Sequence, residues 1–158
     1  MPTALQIVLA QSPAQIEQER ELFLEYAQSL SFSLCFQNFD QELADLPGDY
    51  APPDGRLLLA EVEGKLAGCV ALHRHNATIC EMKRLYVRPE FRGKKIGRSL
   101  AERAITEARE IGYTQVRLDT VGGTMDRAIA MYRQLGFREI AAYRKNPMPD
   151  VLYMEMSL

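Results

Sequence analysis

Cysteine is scarce. Only Cys35, Cys69 and Cys80 occur in 158 residues, an odd number with no metal-type spacing. That excludes a disulfide framework or a zinc ribbon and predicts reduced thiols in or near the core. No run approaches the ~20 apolar residues of a membrane span. No basic segment followed by an apolar run opens the chain, so a cytoplasmic protein without a signal peptide is expected. Repeats and low-complexity tracts are absent too. The only histidines, His73 and His75, share a turn with no third ligand near by. Both are expected to be exposed turn residues, and no metal site is predicted. What remains is an ordinary composition, 47% apolar and 25% charged, which suits one globular domain over residues 1–158.

Positive charge is unevenly placed. Eight basic residues lie between Lys83 and Arg103, opposed only by Glu90 and Glu102, while the whole chain is −2. A basic island in an acidic chain points to a local anionic ligand rather than to nucleic acid. The island falls in CEMKRLYVRPEFRGKKIGRSL (80–100), which reads as strand, glycine-bearing loop and helix start. That order presents unpaired backbone N–H groups to one anion.

Leu5–Leu9 reads as a strand, and Ser12-Pro13 as a cap opening a helix of roughly 17 residues. Ile16, Phe23, Ala27 and Leu30 share its apolar stripe. Residues 31–54 mix aromatics with Pro47-Gly48 and Pro52-Pro53, with a short helix near Gln41–Ala44. A connection of that length is either a lid filling space over the core or one wall of a substrate pocket. Leu57–Val62, Leu66–Leu72 and Thr78–Val87 form an antiparallel meander. In the last strand Ile79, Leu85 and Val87 share parity with Glu81 and Lys83, which predicts a bulge or a face opening onto a polar cleft.

Ile96, Leu100, Ala104, Ala108 and Ile111 stripe the next helix, which Gly112 ends. Gln115–Thr120 then lies parallel to Thr78–Val87 through a right-handed crossover. A helix carrying Met125, Ala128, Ile129, Tyr132 and Leu135 follows, then strands Arg138–Tyr143 and Val151–Met156. The fold class is α/β of the α+β type, a twisted, mostly antiparallel mixed sheet with helices on both faces.

The loop Arg92, Gly93, Lys94, Lys95, Ile96, Gly97, Arg98 is neither GxxxxGKS nor GxGxxG. Its bare glycine backbone and cations suit a diphosphate. Together the strand Glu81–Val87, the loop RGKKIG (92–97) and AIAMYRQLGF (128–137) resemble the GNAT N-acetyltransferase superfamily, over roughly residues 55–158. The resemblance implies six to seven strands, with the two central parallel strands splayed. It implies acetyl-CoA as cosubstrate and no metal. The pyrophosphate would rest on the amides of Arg92–Arg98, and the pantetheine arm beside Leu85, Tyr86 and Val87. Lys95 stands where the family carries glycine, so a locally adjusted loop is expected there.

Acetyl transfer to an amine needs a proton acceptor, an oxyanion donor and an acid for the leaving thiolate. On spacing alone Tyr132 is a core aromatic. The resemblance makes it the general acid. Glu81 matches a general-base position, or is a paired strand-end carboxylate. The expected acceptor is the primary amine of a small or amino-acid-like molecule, with Arg144 and Lys145 hinting at a carboxylate on it. The alternatives are a CoA-binding sensor or interaction module, and an enzyme acting on protein N-termini or lysines. A homodimer is the assembly to test; neither nucleic acid nor membrane is expected as a partner.

Overall fold

The computed structural model describes residues 4–30, 38–121, 125–145 and 150–158. Cys35, the glycine pair after Val121 and the Asn146–Pro149 stretch lie outside them. Strand β1 (Leu5–Leu9) leads into α1 (Pro13–Ser29). Ser12 caps α1: its hydroxyl accepts from the Gln15 amide, the Gln15 side chain answers from the other side, and Pro13 occupies the first turn. Helix α2 (Phe39–Asp45) follows, then β2 (Arg56–Val62), β3 (Lys65–Arg74) and β4 (Ile79–Val87). Helix α3 (Ile96–Ile111) crosses to β5 (Gln115–Val121); α4 (Asp126–Leu135), β6 (Arg138–Ile140) and β7 (Val151–Ser157) complete the chain.

The described residues form one seven-stranded sheet ordered β1-β2-β3-β4-β5-β7-β6. Every neighbouring pair is antiparallel except β4–β5. Period-two alternation splits each central strand between two cores. On β2, Leu58, Ala60 and Val62 face α3, whereas Leu57 and Leu59 join Leu22 and Phe23 of α1 and Phe39 of α2. No helix among the described residues is long and apolar enough to cross a membrane.

The expected irregularity in β4 is a bulge. Ala71 pairs with Lys83 and Cys69 with Tyr86, so Arg84 and Leu85 together oppose Val70. Arg84 takes φ +62°, and the extra residue inverts the parity. Cys80 and Met82 pack toward α3 before the bulge, and Leu85 and Val87 after it. Gly68 sits opposite, where a Cβ would lie 2.5 Å from the Tyr86 carbonyl, so only glycine fits.

Two expectations change. Strand β6 stops at Ile140 rather than running to Tyr143, because Tyr143 and Arg144 leave the sheet edge to bond Glu81. Lys95 does adopt the left-handed conformation (φ +60°) that its non-glycine side chain argued against, so the loop keeps its turn. That costs on the order of 1–2 kcal/mol.

Helix α1 carries a misfit. Glu19 is fully buried, and both its carboxyl oxygens lack a hydrogen-bond partner among the described residues. Burial pushes its pKa well above the ordinary 4.5. A raised folded-state pKa means stability is intact below 4.5 and erodes as pH climbs toward the folded value. Glu19→Met is therefore expected to stabilise the fold by about 1–3 kcal/mol at neutral pH. The gap should shrink toward pH 4.5, as read by urea melts across pH.

Candidate active site

Strands β4 and β5 pair only over Ile79–Glu81 and Gln115–Arg117. Beyond that point they separate, and Met82–Val87 and Leu118–Val121 become opposite walls of a groove of about 700 Å³. Tyr26 of α1, Leu30 just after it, the loop after β4 and the start of α4 complete it.

Of the residues predicted for the cofactor, Leu85, Tyr86, Val87, Arg92, Gly93, Lys95, Ile96 and Gly97 line this groove. Lys94 and Arg98 do not: the Lys94 ammonium lies 5.9 Å from the Phe91 ring centre, and Arg98 bonds Glu102 and Gln134. The first α3 bond runs from the Ser99 N–H to the Lys95 carbonyl. The amides of Ile96, Gly97 and Arg98 are therefore the unpaired first turn. An anion there meets the positive end of a 16-residue helix.

The basic island is smaller at the groove than in the sequence. Arg84 forms a two-pronged pair with Glu42 (2.9 Å and 2.9 Å) and is buried. Arg88 binds Glu21 and Glu25, Arg98 binds Glu102, and Arg103 binds Glu107. Among the described residues, Lys83, Arg92, Lys94 and Lys95 make no ion pair with a carboxylate. The Arg92 guanidinium donates to the Val87 carbonyl at 3.0 Å.

Tyr132 stands on α4 in the wall of the groove, its ring edge-on to Phe137 at 5.6 Å. Its hydroxyl has no hydrogen-bond partner among the described residues. Burial first, then the nearby Tyr26 and Asp119, push its pKa well above the ordinary tyrosine value. The group stays protonated and can donate.

Glu81 is fully buried at the point where β4 and β5 part. One carboxylate oxygen accepts from Arg144 (2.6 Å) and faces His73 Nε2 (2.9 Å); the other accepts from the Tyr143 hydroxyl (2.7 Å). Burial alone would raise its pKa, but the His73 bond and the charges of Lys83 and Arg144 outweigh it. The carboxyl is held far below the ordinary range. Glu81 lines neither this groove nor the second cavity.

His73 is not the exposed turn residue expected. It lies at the end of β3, half-buried, with both ring nitrogens facing oxygens: Nδ1 the Arg74 carbonyl at 3.1 Å, Nε2 Glu81. The pairing His73↔Glu81 across β3–β4 makes this contact, which the linear spacing did not reveal. His75 is exposed and sits edge-on to Tyr143 at 5.3 Å.

A second cavity of about 380 Å³ lies behind β4, bounded by α2, the turn at Gly48–Tyr50, His73, Lys83, Arg144 and Lys145. Residues 38–50 thus supply a cavity wall, which favours the pocket reading of this stretch over simple space-filling. Asp119 of β5 was missed by the sequence reading. It borders the main groove with Oδ2 buried and without a hydrogen-bond donor among the described residues, 3.8 Å from the Arg144 guanidinium. Among the described residues no group of three potential ligands is placed to hold a metal ion.

Known proteins share this architecture. An uncharacterised N-acetyltransferase of Schizosaccharomyces pombe is 39% identical over 99% of this chain and 97% of its own. The N-acetylaspartate synthetase of Danio rerio is 32% identical over 77% of this chain and 43% of its own. The PaiA N-acetyltransferase of Thermoplasma acidophilum, solved in complex with coenzyme A, superposes with a TM-score of 0.73 at 20% identity, covering 98% of this chain and 99% of that one. The model of the acetyltransferase (GNAT) family matches residues 16–137. Splayed central strands, an anion-ready helix start and this match over most of the length agree, and the chain belongs to the acetyltransferase (GNAT) family as an N-acetyltransferase.

Proposed function

We propose that this enzyme moves the acetyl group of acetyl-CoA directly onto the primary amine of a small, amino-acid-like acceptor carrying a carboxylate, within a ternary complex. The observation that carries the reading is a pair of cavities that share Lys83 of β4. The larger fits a long cosubstrate with a diphosphate. The smaller holds the guanidinium of Arg144 and the ring of His73. The likeness to a protein named N-acetylaspartate synthetase supports an amino-acid acceptor.

In this reading the amides of Gly93–Arg98 with Arg92 and Lys95 hold the pyrophosphate, and the main chain of Leu85–Val87 guides the pantetheine arm. A backbone N–H near Val87 meets the oxyanion that forms when the amine attacks the thioester carbonyl. Tyr132 donates its proton to the departing sulfur. Glu81 enters as a positioning residue, because both its oxygens are already engaged, one by Arg144 and His73, which border the acceptor cavity, and the other by the Tyr143 hydroxyl. It fixes Arg144 at the cavity, and Arg144 reads the carboxylate with the N–H groups left over.

The test is thiol release with amino acids set against their decarboxylated amines. Carboxylated acceptors are expected to lead in kcat/KM by on the order of 10–10². Arg144→Leu should erase that lead by raising the acceptor KM while acetyl-CoA affinity holds. Equal turnover of both classes would overturn the acceptor assignment. Tight acetyl-CoA binding without turnover on any amine would make the chain a CoA-binding module instead.

A further inference from the structure

Among the described residues, Lys83 alone borders both cavities. It pairs with Ala71 just before the β4 bulge and lines the groove and the acceptor cavity alike. Its amine makes no ion pair or hydrogen bond among the described residues. Glu81 is already committed to His73, Tyr143 and Arg144, and Glu42 to Arg84, while Asp119 makes no ion pair with it among the described residues. A half-buried, unpartnered lysine at the meeting point of two substrate cavities is costly to keep for packing alone.

We infer that Lys83, as the neutral amine, is the general base that takes a proton from the acceptor's ammonium where the two cavities meet. The inference rests on the two-cavity reading above. The freed nitrogen lone pair forms the N–C bond to the thioester carbonyl. As the C–S bond breaks, Tyr132 gives its proton to sulfur, and the second proton leaving the nitrogen restores the Tyr132 hydroxyl. Lys83 returns its proton to solvent. The acceptor amine therefore loses two protons, one to solvent through Lys83 and one that replaces the proton Tyr132 gave the thiol.

A lysine suits this step better than the neighbouring carboxylates, since a base works best when its proton affinity lies near the working pH. The surroundings favour the neutral form. Burial lowers the Lys83 pKa, with Arg84 on β4 and Arg144 after β6 acting the same way, against Glu81 on β4 and Asp119 on β5. His73 of β3 and Glu42 of α2 border one side, and Tyr26 of α1 the other.

The test compares Lys83→Arg with Lys83→Met, using the best amine found whether or not it carries a carboxylate. Arginine keeps the charge but cannot give up its proton. Both variants are expected to lose on the order of 10²–10³ in kcat, with acetyl-CoA affinity and melting temperature unchanged. The acidic limb of the wild-type kcat/KM profile should move in them to the higher pKa of the acceptor's own ammonium. A tertiary amine, which cannot itself be acetylated stably, should restore part of the activity of Lys83→Ala. Near-wild-type turnover in Lys83→Arg, or a profile whose acidic limb stays at its wild-type position, overturns the inference. If Lys83→Met fails to fold, the arginine variant and the profile decide. Loss of the carboxylate preference alone would sink the acceptor reading and leave Lys83 as the base.

Discussion

Gly97→Asp is expected to abolish acetyl-CoA binding in a chain that still folds. Gly97 is the second residue of α3 and lines the groove. A Cβ built there meets only the Val87 side chain at 3.6 Å, an ordinary contact. A carboxylate in the first turn favours the helix itself by about 0.3–1 kcal/mol, so the melting temperature should hold or rise. The same carboxylate would confront the diphosphate. Like charges about 4 Å apart repel by roughly 1 kcal/mol in water and about 4 kcal/mol at the lower effective dielectric of a protein surface. Two phosphoryl charges then cost about 2–8 kcal/mol, roughly 30-fold to 10⁶-fold in Kd. Gly97→Ala adds the carbon without the charge and should bind almost normally. Calorimetric titration separates the two variants, and unchanged affinity in Gly97→Asp would remove the loop from the cosubstrate site.

Tyr132→Phe is the second large effect. Its kcat should fall by on the order of 10²–10³, the usual range for removing a proton donor. Acetyl-CoA affinity and stability should barely move. The ring keeps its packing on Phe137, and no protein hydrogen bond among the described residues is lost. The raised pKa adds a pH signature. A tyrosine pushed up stays protonated beyond its ordinary value of about 10, so no basic limb due to Tyr132 should appear below that pH. Stopped-flow thiol release on saturated enzyme reads kcat alone, and wild-type turnover in the phenylalanine variant would refute the acid role.

Much of the frame was legible because local signals agreed. Ser12-Pro13 marks the start of α1, and an unbroken 3.6-residue stripe with Gly112 behind it marks α3. Three adjacent apolar runs read as a meander are the antiparallel strands β2, β3 and β4. Parity conflict in β4 pointed to the bulge.

The unread parts depend on long-range register. His73 looked like a turn residue because only the β3–β4 pairing brings it to Glu81. Arg84 and Arg88 counted toward an anion site, but carboxylates 42 and 63 residues away neutralise them. Tyr143 continued an apparent strand, yet its hydroxyl bond to Glu81 pulls the chain off the sheet. Asp119 alternates like any strand residue, and only the divergence of β4 from β5 makes it a groove wall. Glu19 falls on the apolar stripe of α1, three residues after Ile16 and four before Phe23, and its charge hid the burial that this spacing implies.

The most direct measurement is a crystal structure of the complex with acetyl-CoA. The account predicts phosphoryl oxygens within hydrogen-bond reach of the Gly93–Arg98 amides, and the thioester carbonyl in the gap between β4 and β5 beside Tyr132 and Lys83. Coenzyme density elsewhere on the molecule, or a first turn of α3 that makes no contact with it, would contradict the account.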